Sequence, residues 1–460
     1  MNLYNKKIGI WGLGVVGTSV LNYVKAFTNY VQILDKKNHP EIPVILQTPE
    51  TVKKFLDEND YIIPSPGISL HNYQDYQHKF LCELDLFTPN YYGKTVAITG
   101  TAGKTTVTDF IAQSIPNSVA AGNIGFAMLD ALKLEPKPTT IVLEVSSYQL
   151  QYANNFAPDI AIWTNFFPNH LDHHKNIDEY FTAKCNILRH QNNDQIAIVA
   201  HELMDKILDK IDYKGKLFTY SQNNPYKTDH SRLNIDSCPD NQENQQHITS
   251  SNHHKINLPH FYIENNSLVL RQNNQTTTVF KNIQELPQIT FIANWIVIIA
   301  TLYLNKQNLS QVNFTTIKPQ QHRVEYVGKY HNIEIYNDSK STIQESTQEA
   351  LKKFTGKKIA LIIGGMSKGA DRSPLIQFMA KQKNIIPFIF GKEKEILTHF
   401  CEQHKVKYFA SENLEHLLEI FKINHQDFDI LLFSPAGSSF DQFKNYQDRG
   451  NIFKELVQKL

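Results

Sequence analysis

Cysteine is scarce in this chain of 460 residues, which contains four: Cys82, Cys185, Cys238 and Cys401. They are scattered and form no C-x-x-C pair, so they predict neither a disulfide framework nor a zinc ribbon and fit a reducing cytosol. Neither sign of charge is in excess, because 46 Lys and Arg face 45 Asp and Glu and leave a net charge of +1. No bulk charge therefore favours binding to nucleic acid or to a membrane surface.

Long apolar runs are missing as well. A membrane-spanning helix needs about 20 predominantly apolar residues, and the longest candidate, FIANWIVIIATLYL at 291–304, is shorter and contains Asn294. It predicts a buried core helix instead. The amino-terminal stretch MNLYNKKIGIWGLG lacks the apolar region and the small-residue cleavage site of a signal peptide. We therefore expect a cytoplasmic protein with no membrane segment.

The rest of the composition is that of a folded chain with several domains. Hydrophobic residues make up 41%, which is too many for a disordered chain, and at about 150 residues per domain the length predicts about three domains. Short apolar runs such as KIGIWGLG, YVQILD and KTVAITG alternate with helical patterns. This rhythm predicts an α/β fold of parallel sheets, in which ligand-binding groups gather at the carboxyl ends of the strands.

We place the three domains at 1–92, 93–319 and 320–460. Within the middle domain, 221–285 is a variable region whose first half is rich in Asn, Gln, Ser and His and predicts a surface excursion or mobile loop. Its second half, FYIENNSLVLRQNNQTTTVF, predicts a β-hairpin with Asn-rich turns. Metal binding by His253 and His254 is an alternative that a solvated loop outweighs.

The string AITGTAGKTTVTDF at 97–110 looks like a shortened phosphate-binding loop. The pattern G-x-x-x-x-G-K-[ST] requires a glycine five places before Gly103, where this chain has Ile98, and the glycine is Gly100 instead. A glycine-rich turn between a strand and a helix surrounds phosphate with backbone N–H groups and a helix N-terminus. Lys104 would reach the β- and γ-phosphates and the Thr105 hydroxyl would bind Mg²⁺. A turn rich in Gly and Thr by chance is the alternative.

A second glycine motif lies at the amino terminus. GIWGLGVVG carries G-x-G-x-x-G at Gly12, Gly14 and Gly17 after a strand, and Asp35 ends the next strand. NAD binding is the obvious interpretation. The motif alone indicates only a close approach to the backbone of this turn. The approaching group is either a nucleotide or, in a purely structural tight turn, another part of the chain.

Acidic and histidine residues follow two strands of the middle domain. Glu144 in LEVSSYQL ends a buried strand, where a carboxylate is costly unless it is paired or binds a cation. Mg²⁺ near a phosphate loop needs such an oxygen ligand, so we favour metal binding over helix capping. The string NFFPNHLDHH gathers polar side chains at Asn165, His170, Asp172, His173 and His174. We expect a single Mg²⁺ ligand or substrate contact there, from His170 or Asp172, and ordinary polar loop residues otherwise.

The last third contains further candidate motifs. In HRVE and NDSKST, Arg323 is suited to stacking on a base or bridging phosphates, and Asp338 to ribose hydroxyls, although a surface charge cluster is equally favoured. GGMSKGADRS and SPAGSSFDQF each follow a buried strand. The hydroxyls and helix N-terminus of the latter suit a carboxylate, with structural capping as the alternative.

Taken in order, these strings resemble the Mur ligase family. GTAGKTT is similar to the family's shortened loop G-T-x-G-K-T-T, and GNIG, LEVSSYQL, NHLDHH, YFTAKCNI, HRVE, NDSKST, GGMSKGAD and SPAGSSFDQFKNYQDRG fall where the family has motifs. The match runs from about Gly9 to Phe453 and is weakest at 221–285. SPAGSSFDQF is similar to the D-glutamate-adding branch, and the D-N-P-R motif of the diaminopimelate-adding relatives is absent.

The resemblance implies an N-terminal Rossmann-like domain for the UDP part of a substrate, a central P-loop-type ATPase domain, and a C-terminal Rossmann-like domain for ATP and the amino acid. It also implies a monomeric ligase of peptidoglycan precursor synthesis. The carboxylate of UDP-N-acetylmuramoyl-L-alanine attacks the γ-phosphate of ATP, and the amine of D-glutamate then displaces phosphate from the acyl phosphate. Positioning and charge neutralisation are expected to supply most of the catalysis.

The resemblance further implies roles for single residues. Those for ATP are Gly100, Thr101, Ala102, Gly103, Lys104, Thr105, Thr106, Asn294, Arg323 and Asp338. Those for the UDP substrate are Gly14, Val15, Val16, Asp35, Lys36, Ser65, Asn123 and His170. Those for D-glutamate are Thr342, Lys368, Ser439, Phe440 and Tyr446. The catalytic residues are Lys104, Lys184, His170, Lys340 and Lys368.

Two Mg²⁺ ions are implied, one held by Thr105 and Glu144 and one by His170 and a Lys184 that CO₂ has carbamylated. From the residues alone, an unmodified Lys184 in a surface ion pair would be preferred. Because Lys104 and Arg323 lie in different domains, we expect the C-terminal domain to swing onto the central one.

The chain departs from the family pattern at several positions. Val16 stands where Thr is frequent, Lys36 where a small hydroxyl residue is common, and Ala293 where His usually precedes Asn294. The alternatives are another Mur-type or folylpolyglutamate-type amide ligase, or a nucleotide-binding relative without catalysis.

Overall fold

The computed structural model describes residues 3–124, 126–171, 173–225, 258–287, 289–367 and 371–460. In these ranges the strands form three sheets, drawn from residues 8–64, 94–280 and 325–433. Each sheet is largely parallel and alternates with helices, so the predicted α/β class is confirmed. The domain boundaries at 92/93 and 319/320 fall between the sheets and stay predictions. The loop expected in the first half of 221–285 falls mostly at 226–257, which lies outside the described residues, as do Asp172 and Lys368.

The first sheet has the order β3-β2-β1-β4, and its described strand pairs are all parallel. Its strands are β1 (Ile8–Trp11), β2 (Val31–Asp35), β3 (Ile45–Leu46) and β4 (Tyr61–Pro64), and the helices of this region are α1 (Val15–Val24), α2 (Pro49–Glu58) and α3 (Glu83–Phe87). Helix α2 begins after Thr48, whose hydroxyl accepts a hydrogen bond from the Thr51 N–H in a capping box. Proline at the first helical position, Pro49, suits this start.

The turn between β1 and α1 depends on glycine. Gly12 has a φ of +90°, and a Cβ at Gly17 would lie 1.9 Å from the Gly12 carbonyl oxygen. Asp35 at the end of β2 accepts hydrogen bonds from the N–H groups of Leu13 (2.6 Å) and Lys37 (2.9 Å). The glycine motif therefore lets α1 approach β1 closely, and the Asp35 carboxylate fixes the loop between them.

The second sheet, in the described residues, has the order β13-β12-β11-β10-β9-β8-β5-β7-β6. Every neighbouring pair between the edge strand β6 and strand β11 is parallel. Strand β12 is antiparallel to both of its neighbours, β11 and β13. Its strands are β5 (Lys94–Thr99), β6 (Ser118–Gly122), β7 (Thr140–Glu144), β8 (Ile160–Trp163), β9 (Ile196–Ala200), β10 (Lys216–Tyr220), β11 (His260–Glu264), β12 (Ser267–Gln272) and β13 (Gln275–Phe280). Its helices are α4 (Lys104–Ser114), α5 (Met128–Ala131), α6 (Ser147–Gln151), α7 (Ile177–Arg189), α8 (Met204–Lys210) and α9 (Ile292–Leu304).

The Asn-rich segment at the edge of this sheet forms two turns. Asn265 and Asn266 join β11 to β12, Asn273 and Asn274 join β12 to β13, and all four have φ between +47° and +61°. Two-residue hairpin turns of type I′ require such angles, which Asn tolerates. The predicted hairpin is confirmed and continues into a third strand. The helix predicted at 291–304 is also confirmed, since α9 is buried along most of its length.

The third sheet has the order β14-β15-β19-β16-β17-β18. Its strands are β14 (Glu325–Tyr330), β15 (Ile333–Asn337), β16 (Ile359–Gly364), β17 (Ile385–Phe390), β18 (Phe409–Ala410) and β19 (Ile430–Phe433), and its helices are α10 (Gln344–Lys352), α11 (Ser373–Ala380), α12 (Lys394–Gln403), α13 (Leu414–Asn424) and α14 (Tyr446–Val457). Strand β14 is antiparallel to β15, and the other pairs are parallel. The last strand of the chain, β19, lies between β15 and β16 in the middle of the sheet.

Apolar side chains form a core on each face of the third sheet. A larger core joins one face of the first sheet to the second sheet and its helices, and a smaller one covers the other face of the first sheet. The loops that follow the carboxyl ends of the parallel strands are where such a fold can build a site. Among the described helices, none has the length and apolar character needed to cross a membrane.

The close approach at Gly17 predicts a specific sensitivity of the first sheet. Gly17→Ala places a methyl group against the Gly12 carbonyl, and we expect a loss of about 1–3 kcal/mol of stability from overpacking. Gly14→Ala is the matched control, because a Cβ there meets nothing within 4 Å. Thermal unfolding should show a lower transition for the first variant only, and equal transitions for both would contradict this account of the turn.

Candidate nucleotide and metal site

The shortened loop connects β5 to α4 at the carboxyl edge of the second sheet. Gly100 and Gly103 have φ of +146° and +81°, in the region that favours glycine, and α4 begins at Lys104. The Lys104 ammonium folds back over the loop, with Nζ 3.0 Å from the Gly100 carbonyl and 3.2 Å from that of Thr101. The first N–H groups of a helix have no carbonyl partner within it, so the start of α4 can accept an anion.

Glu144 lies beside this loop, where β7 ends, and only 3% of its surface is exposed. Its Oε1 accepts a hydrogen bond from Asn123 Nδ2 at 3.3 Å, while its buried Oε2 has no hydrogen-bond partner. A buried carboxylate oxygen without a donor is costly unless a cation meets it. The neighbouring Ser146 is used structurally, since it caps α6 through the Gln149 N–H. The residues present therefore fit Mg²⁺ at Glu144.

Lys184 on α7 is buried below the loop, with 1% of its surface exposed. Its Nζ donates to Thr99 Oγ1 at 3.2 Å and to the Gly100 carbonyl at 2.9 Å. Burial, assisted by repulsion from Lys104 and opposed by attraction to Glu144, holds the pKa of Lys184 well below its ordinary value. The surface ion pair preferred from the residues alone is therefore wrong.

Tyr148 on α6 contacts all three histidines of NHLDHH. Its hydroxyl is 2.6 Å from His170 Nδ1, and its ring packs edge-on against His173 and parallel to that of His174. His174 is 1% exposed, and burial lowers its pKa to about 4. The expectation of ordinary polar loop residues is wrong for His174, which packs in the interior with Nε2 3.0 Å from Ser147 Oγ.

His170 and Lys184 meet around one aromatic ring. The centre of the Tyr180 ring lies 4.9 Å from Lys184 Nζ and 6.0 Å from the centre of the His170 ring. His170 has a φ of +59°, an angle that is uncommon outside glycine and recurs at functional sites. Within the described residues, no three His, Cys, Asp or Glu side chains are grouped as metal ligands. A site there needs ligands of other kinds, such as a hydroxyl or a modified lysine.

A cavity of about 530 Å³ extends from the loop to the third sheet. Its volume is in the range of nucleotide-sized ligands, about 300–1,000 Å³. It is lined by residues from the regions of the second and third sheets. Among them are residues predicted for ATP: Ala102, Gly103, Thr106, Asn294, Arg323 and Asp338. The structure thus brings loop and C-terminal residues into one site, as their assignment to ATP requires.

Arg323 enters this cavity from a strained turn. The residues on either side, His322 and Val324, have φ of +63° and +41°, and the second is unfavourable for a β-branched residue. The buried Nε of Arg323 has no hydrogen-bond partner. Asp338 fixes the turn by accepting from the Val324 N–H at 3.2 Å and from Ser434 Oγ at 2.7 Å. An unpartnered guanidinium nitrogen in a cavity indicates an anionic or hydrogen-bonding ligand.

Lys340 lies where the second and third sheets meet. Its Nζ is 3.3 Å from Gln320 Oε1 and 5.2 Å from the centre of the Tyr446 ring. Burial first, and then repulsion from Arg323, lowers the pKa of Lys340 to about 7, and Lys104 adds to the effect.

The predicted D-glutamate residues are only partly brought together. Tyr446 lies under the Lys340 ammonium, and Ser439 is buried after β19, whereas the Phe440 side chain is 68% exposed. Thr342 is half-buried two residues after Lys340.

Six of the eight residues predicted for the UDP substrate gather at the carboxyl edge of the first sheet: Gly14, Val15 and Val16 at the start of α1, Asp35 and Lys36 at the end of β2, and Ser65 after β4. The other two, Asn123 and His170, follow strands β6 and β8 of the second sheet. Ser65 Oγ donates to the Gly12 carbonyl at 3.0 Å. Val16, Ser65 and Tyr148 line one small cavity, and Tyr148 contacts His170. This edge therefore leads, through Tyr148, to His170.

Two further residues organise the site. Arg449 on α14 is fully buried and donates to Ser339 Oγ (3.0 Å), to the Ser339 carbonyl (2.7 Å) and to the Gly437 carbonyl (2.9 Å). Burial lowers its pKa to about 9. Asn165, which the sequence placed only among polar loop residues, hydrogen-bonds the phosphate loop. Its position shortly after a buried strand was a signal, but nothing in the local pattern distinguishes Arg449 from a surface arginine.

Comparison with known proteins agrees with this geometry. The Mur ligase middle domain model matches residues 98–267, which contain the loop, Glu144, His170 and Lys184. The UDP-N-acetylmuramoylalanine--D-glutamate ligase of Caldicellulosiruptor saccharolyticus is 28% identical over 100% of both chains. The enzymes of the same name from Aquifex aeolicus (28%, 98% of both chains) and Leptospira interrogans (29%, 99% of this chain and 97% of the relative) are similar over the full length. Residues 98–267 therefore match the middle domain of Mur ligases, and the similarity to the D-glutamate ligases extends over the whole chain.

Solved Mur ligases have the same fold. The MurF ligase of Thermotoga maritima in complex with ADP aligns with a TM-score of 0.52 over 99% of this chain and 96% of that one, at 15% identity. The UDP-N-acetylmuramate-alanine ligase MurC of the same organism aligns with a TM-score of 0.51 over 99% and 100%, at 14% identity. At these identities the likeness shows the fold alone.

The low pKa of Lys340 predicts proton uptake when a nucleotide binds. Phosphates near the ammonium raise its pKa, so at about pH 8, where Lys340 is largely neutral in the free protein, binding of ADP with Mg²⁺ draws in a proton. At about pH 6 the lysine is already charged and this uptake disappears. Calorimetry in buffers of different ionisation enthalpy measures it. Lys340→Arg, which keeps its charge, should abolish the uptake, and an uptake equal to that of the unmodified protein would contradict this origin.

Proposed function

We propose that this chain is the ATP-dependent ligase that adds D-glutamate to UDP-N-acetylmuramoyl-L-alanine in cytoplasmic peptidoglycan precursor synthesis. The observation that carries the proposal is the full-length similarity to enzymes of that name. The structure supports it with a phosphate loop, a buried carboxylate oxygen at Glu144 that has no hydrogen-bond partner, and a cavity that is lined by both the loop and Arg323. ATP, Mg²⁺ and the two substrates follow as its ligands.

Phosphoryl transfer comes first. Lys104 and the start of α4 hold the triphosphate, and Arg323 with Asn294 and Asp338 holds the adenosine end in the shared cavity. The substrate carboxylate attacks the γ-phosphorus and ADP leaves. Both reactants are anions, so the cationic side chains stabilise the charge that develops during transfer.

Mg²⁺ neutralises phosphate charge and orients the oxygens for in-line transfer when it is bound. Thr105 and Glu144 would hold one ion between the loop and β7. His170 and a modified Lys184 would hold the other beside Tyr180. Hard oxygen ligands suit this metal, which explains why an unmodified lysine would not serve.

Lys184 has the chemistry that carbamylation requires. A neutral amine forms an N–C bond with CO₂ and loses a proton, which leaves a carbamate with two oxygens. The lowered pKa of Lys184 favours the neutral amine, and the buried position excludes competing water. The product is an anion next to Lys104, so it relieves the repulsion between the two lysines.

Acyl transfer completes the reaction. The amine of D-glutamate attacks the carbonyl of the acyl phosphate, the C–N bond forms and phosphate leaves. Lys340, Thr342, Ser439 and Tyr446, with Lys368 and Phe440, form the proposed amino-acid site. Lys340 supplies positive charge for the D-glutamate carboxylates. The UDP end of the other substrate lies on Gly14–Val16, Asp35, Lys36 and Ser65, and Asn123 meets its muramoyl-alanine part.

The amino acid that supports catalysis is the decisive test. Phosphate release with ATP, Mg²⁺ and UDP-N-acetylmuramoyl-L-alanine should require D-glutamate and fail with L-glutamate, L-lysine or meso-diaminopimelate. Release with another of these would keep the ligase mechanism and change the specificity. No release with any of them in bicarbonate-containing buffer would contradict the proposal.

Carbamylation of Lys184 is tested separately. In ¹³C-labelled bicarbonate the protein should show a carbamate carbon signal that Lys184→Arg lacks, and the variant should lose activity by about 100-fold or more. Lys210→Arg is the matched control, because Lys210 makes only an exposed ion pair with Asp178. A carbamate signal that persists in the Lys184 variant would contradict this assignment.

A further inference from the structure

Asn165, the second residue after β8, hydrogen-bonds the phosphate loop with its side chain. Its Oδ1 accepts hydrogen bonds from the N–H groups of Thr101 (3.1 Å) and Ala102 (2.8 Å), and its Nδ2 donates to the Ala102 carbonyl at 3.0 Å. The reverse amide orientation would set NH₂ against two N–H donors, so the hydrogen bonds fix the assignment. One amide thus satisfies three backbone groups of the loop.

The residues around Asn165 hold the same part of the loop. Thr164 Oγ1 donates to the Ala102 carbonyl at 2.8 Å and would lie 2.0 Å from a Cβ at Gly100. The Thr101 hydroxyl is the acceptor for the Phe167 N–H at 2.9 Å. The first half of the loop is therefore bound to the segment after β8. Ala102 and Asn165 line the cavity together with Gly103 and Thr106, so this contact lies at the edge of the proposed nucleotide site.

We infer that Asn165 is the positioning residue of the shortened phosphate loop. A full-length loop offers a longer run of backbone N–H groups to phosphate, and here the Asn165 amide uses the two at Thr101 and Ala102. Phosphate then binds the remaining donors, from Gly103 into the start of α4, and Asn165 sets their direction. The inference rests on the nucleotide-binding part of the proposed function and is independent of which amino acid is added.

A different role for the same contacts makes the opposite prediction. If the amide filled the place of a phosphate group and had to leave when a nucleotide enters, removing it would tighten nucleotide binding. If it positions the loop, removing it weakens binding. The sign of the change therefore separates the two roles.

The experiment measures the affinity of ADP with Mg²⁺ and of a non-hydrolysable ATP analogue by calorimetry, with no amino acid present. We expect Asn165→Ala to weaken both at least tenfold. Asn165→Asp should also weaken both, because a carboxylate cannot donate to the Ala102 carbonyl and repels phosphate. Asn186→Ala is the matched control, since Asn186 on α7 bonds only outside the loop, to the Leu150 carbonyl and Arg189, and should change affinity less than twofold.

A selective loss is required for a positioning role. The affinity for UDP-N-acetylmuramoyl-L-alanine and the thermal transition should stay close to those of the unmodified protein in Asn165→Asp, which keeps the side-chain shape if Asn165→Ala fails to fold. Unchanged or tighter nucleotide binding in the variants would overturn the inference, as would an equal loss for both ligands. Absence of nucleotide binding in the unmodified protein would instead count against the proposed function.

Discussion

Two lysine side chains share one carbonyl oxygen beside the phosphate loop. Lys104 Nζ and Lys184 Nζ lie 3.0 and 2.9 Å from the Gly100 oxygen. Two full positive charges around one acceptor in a buried place are unfavourable. The arrangement persists because Lys184 favours its neutral form and because Glu144 brings negative charge. The Glu144 carboxylate supplies part of the negative charge that balances these lysines. The phosphate groups of a bound nucleotide would supply the rest.

This constraint explains why the site draws on so many elements. The loop comes from the β5–α4 connection, Lys184 from α7, and Glu144 from the end of β7. Parallel strands bring these elements to one edge of the sheet, and Arg323 and Asp338 from the C-terminal part of the chain complete the lining of the cavity. The positive charges of the lysines and the negative charge of Glu144 offset one another only when the loop, α7 and β7 are all in place.

Much of the fold was predictable because its signals are local. Short apolar runs that end in glycine or polar residues predicted strands β1, β5, β7 and β16. Paired asparagines predicted the turns between β11, β12 and β13. The phosphate loop and Glu144 followed from strand context. Lys184 did not, because its burial depends on the packing of α7 against the loop, which sequence spacing does not encode. The same applies to Arg449 and to the packing role of His174, both fixed by contacts distant in the chain.

The strand order of the third sheet has a consequence for biosynthesis. Strand β19 lies between β15 and β16, and Arg449 ties the Ser339 and Gly437 segments together. Neither contact can form until the segments that contain β19 and Arg449 have been synthesised. The first two sheets can fold earlier, whereas the third sheet gains its central strand only when β19 has been made. Strands β15 and β16 therefore wait for a common partner that follows them by about 70 residues or more.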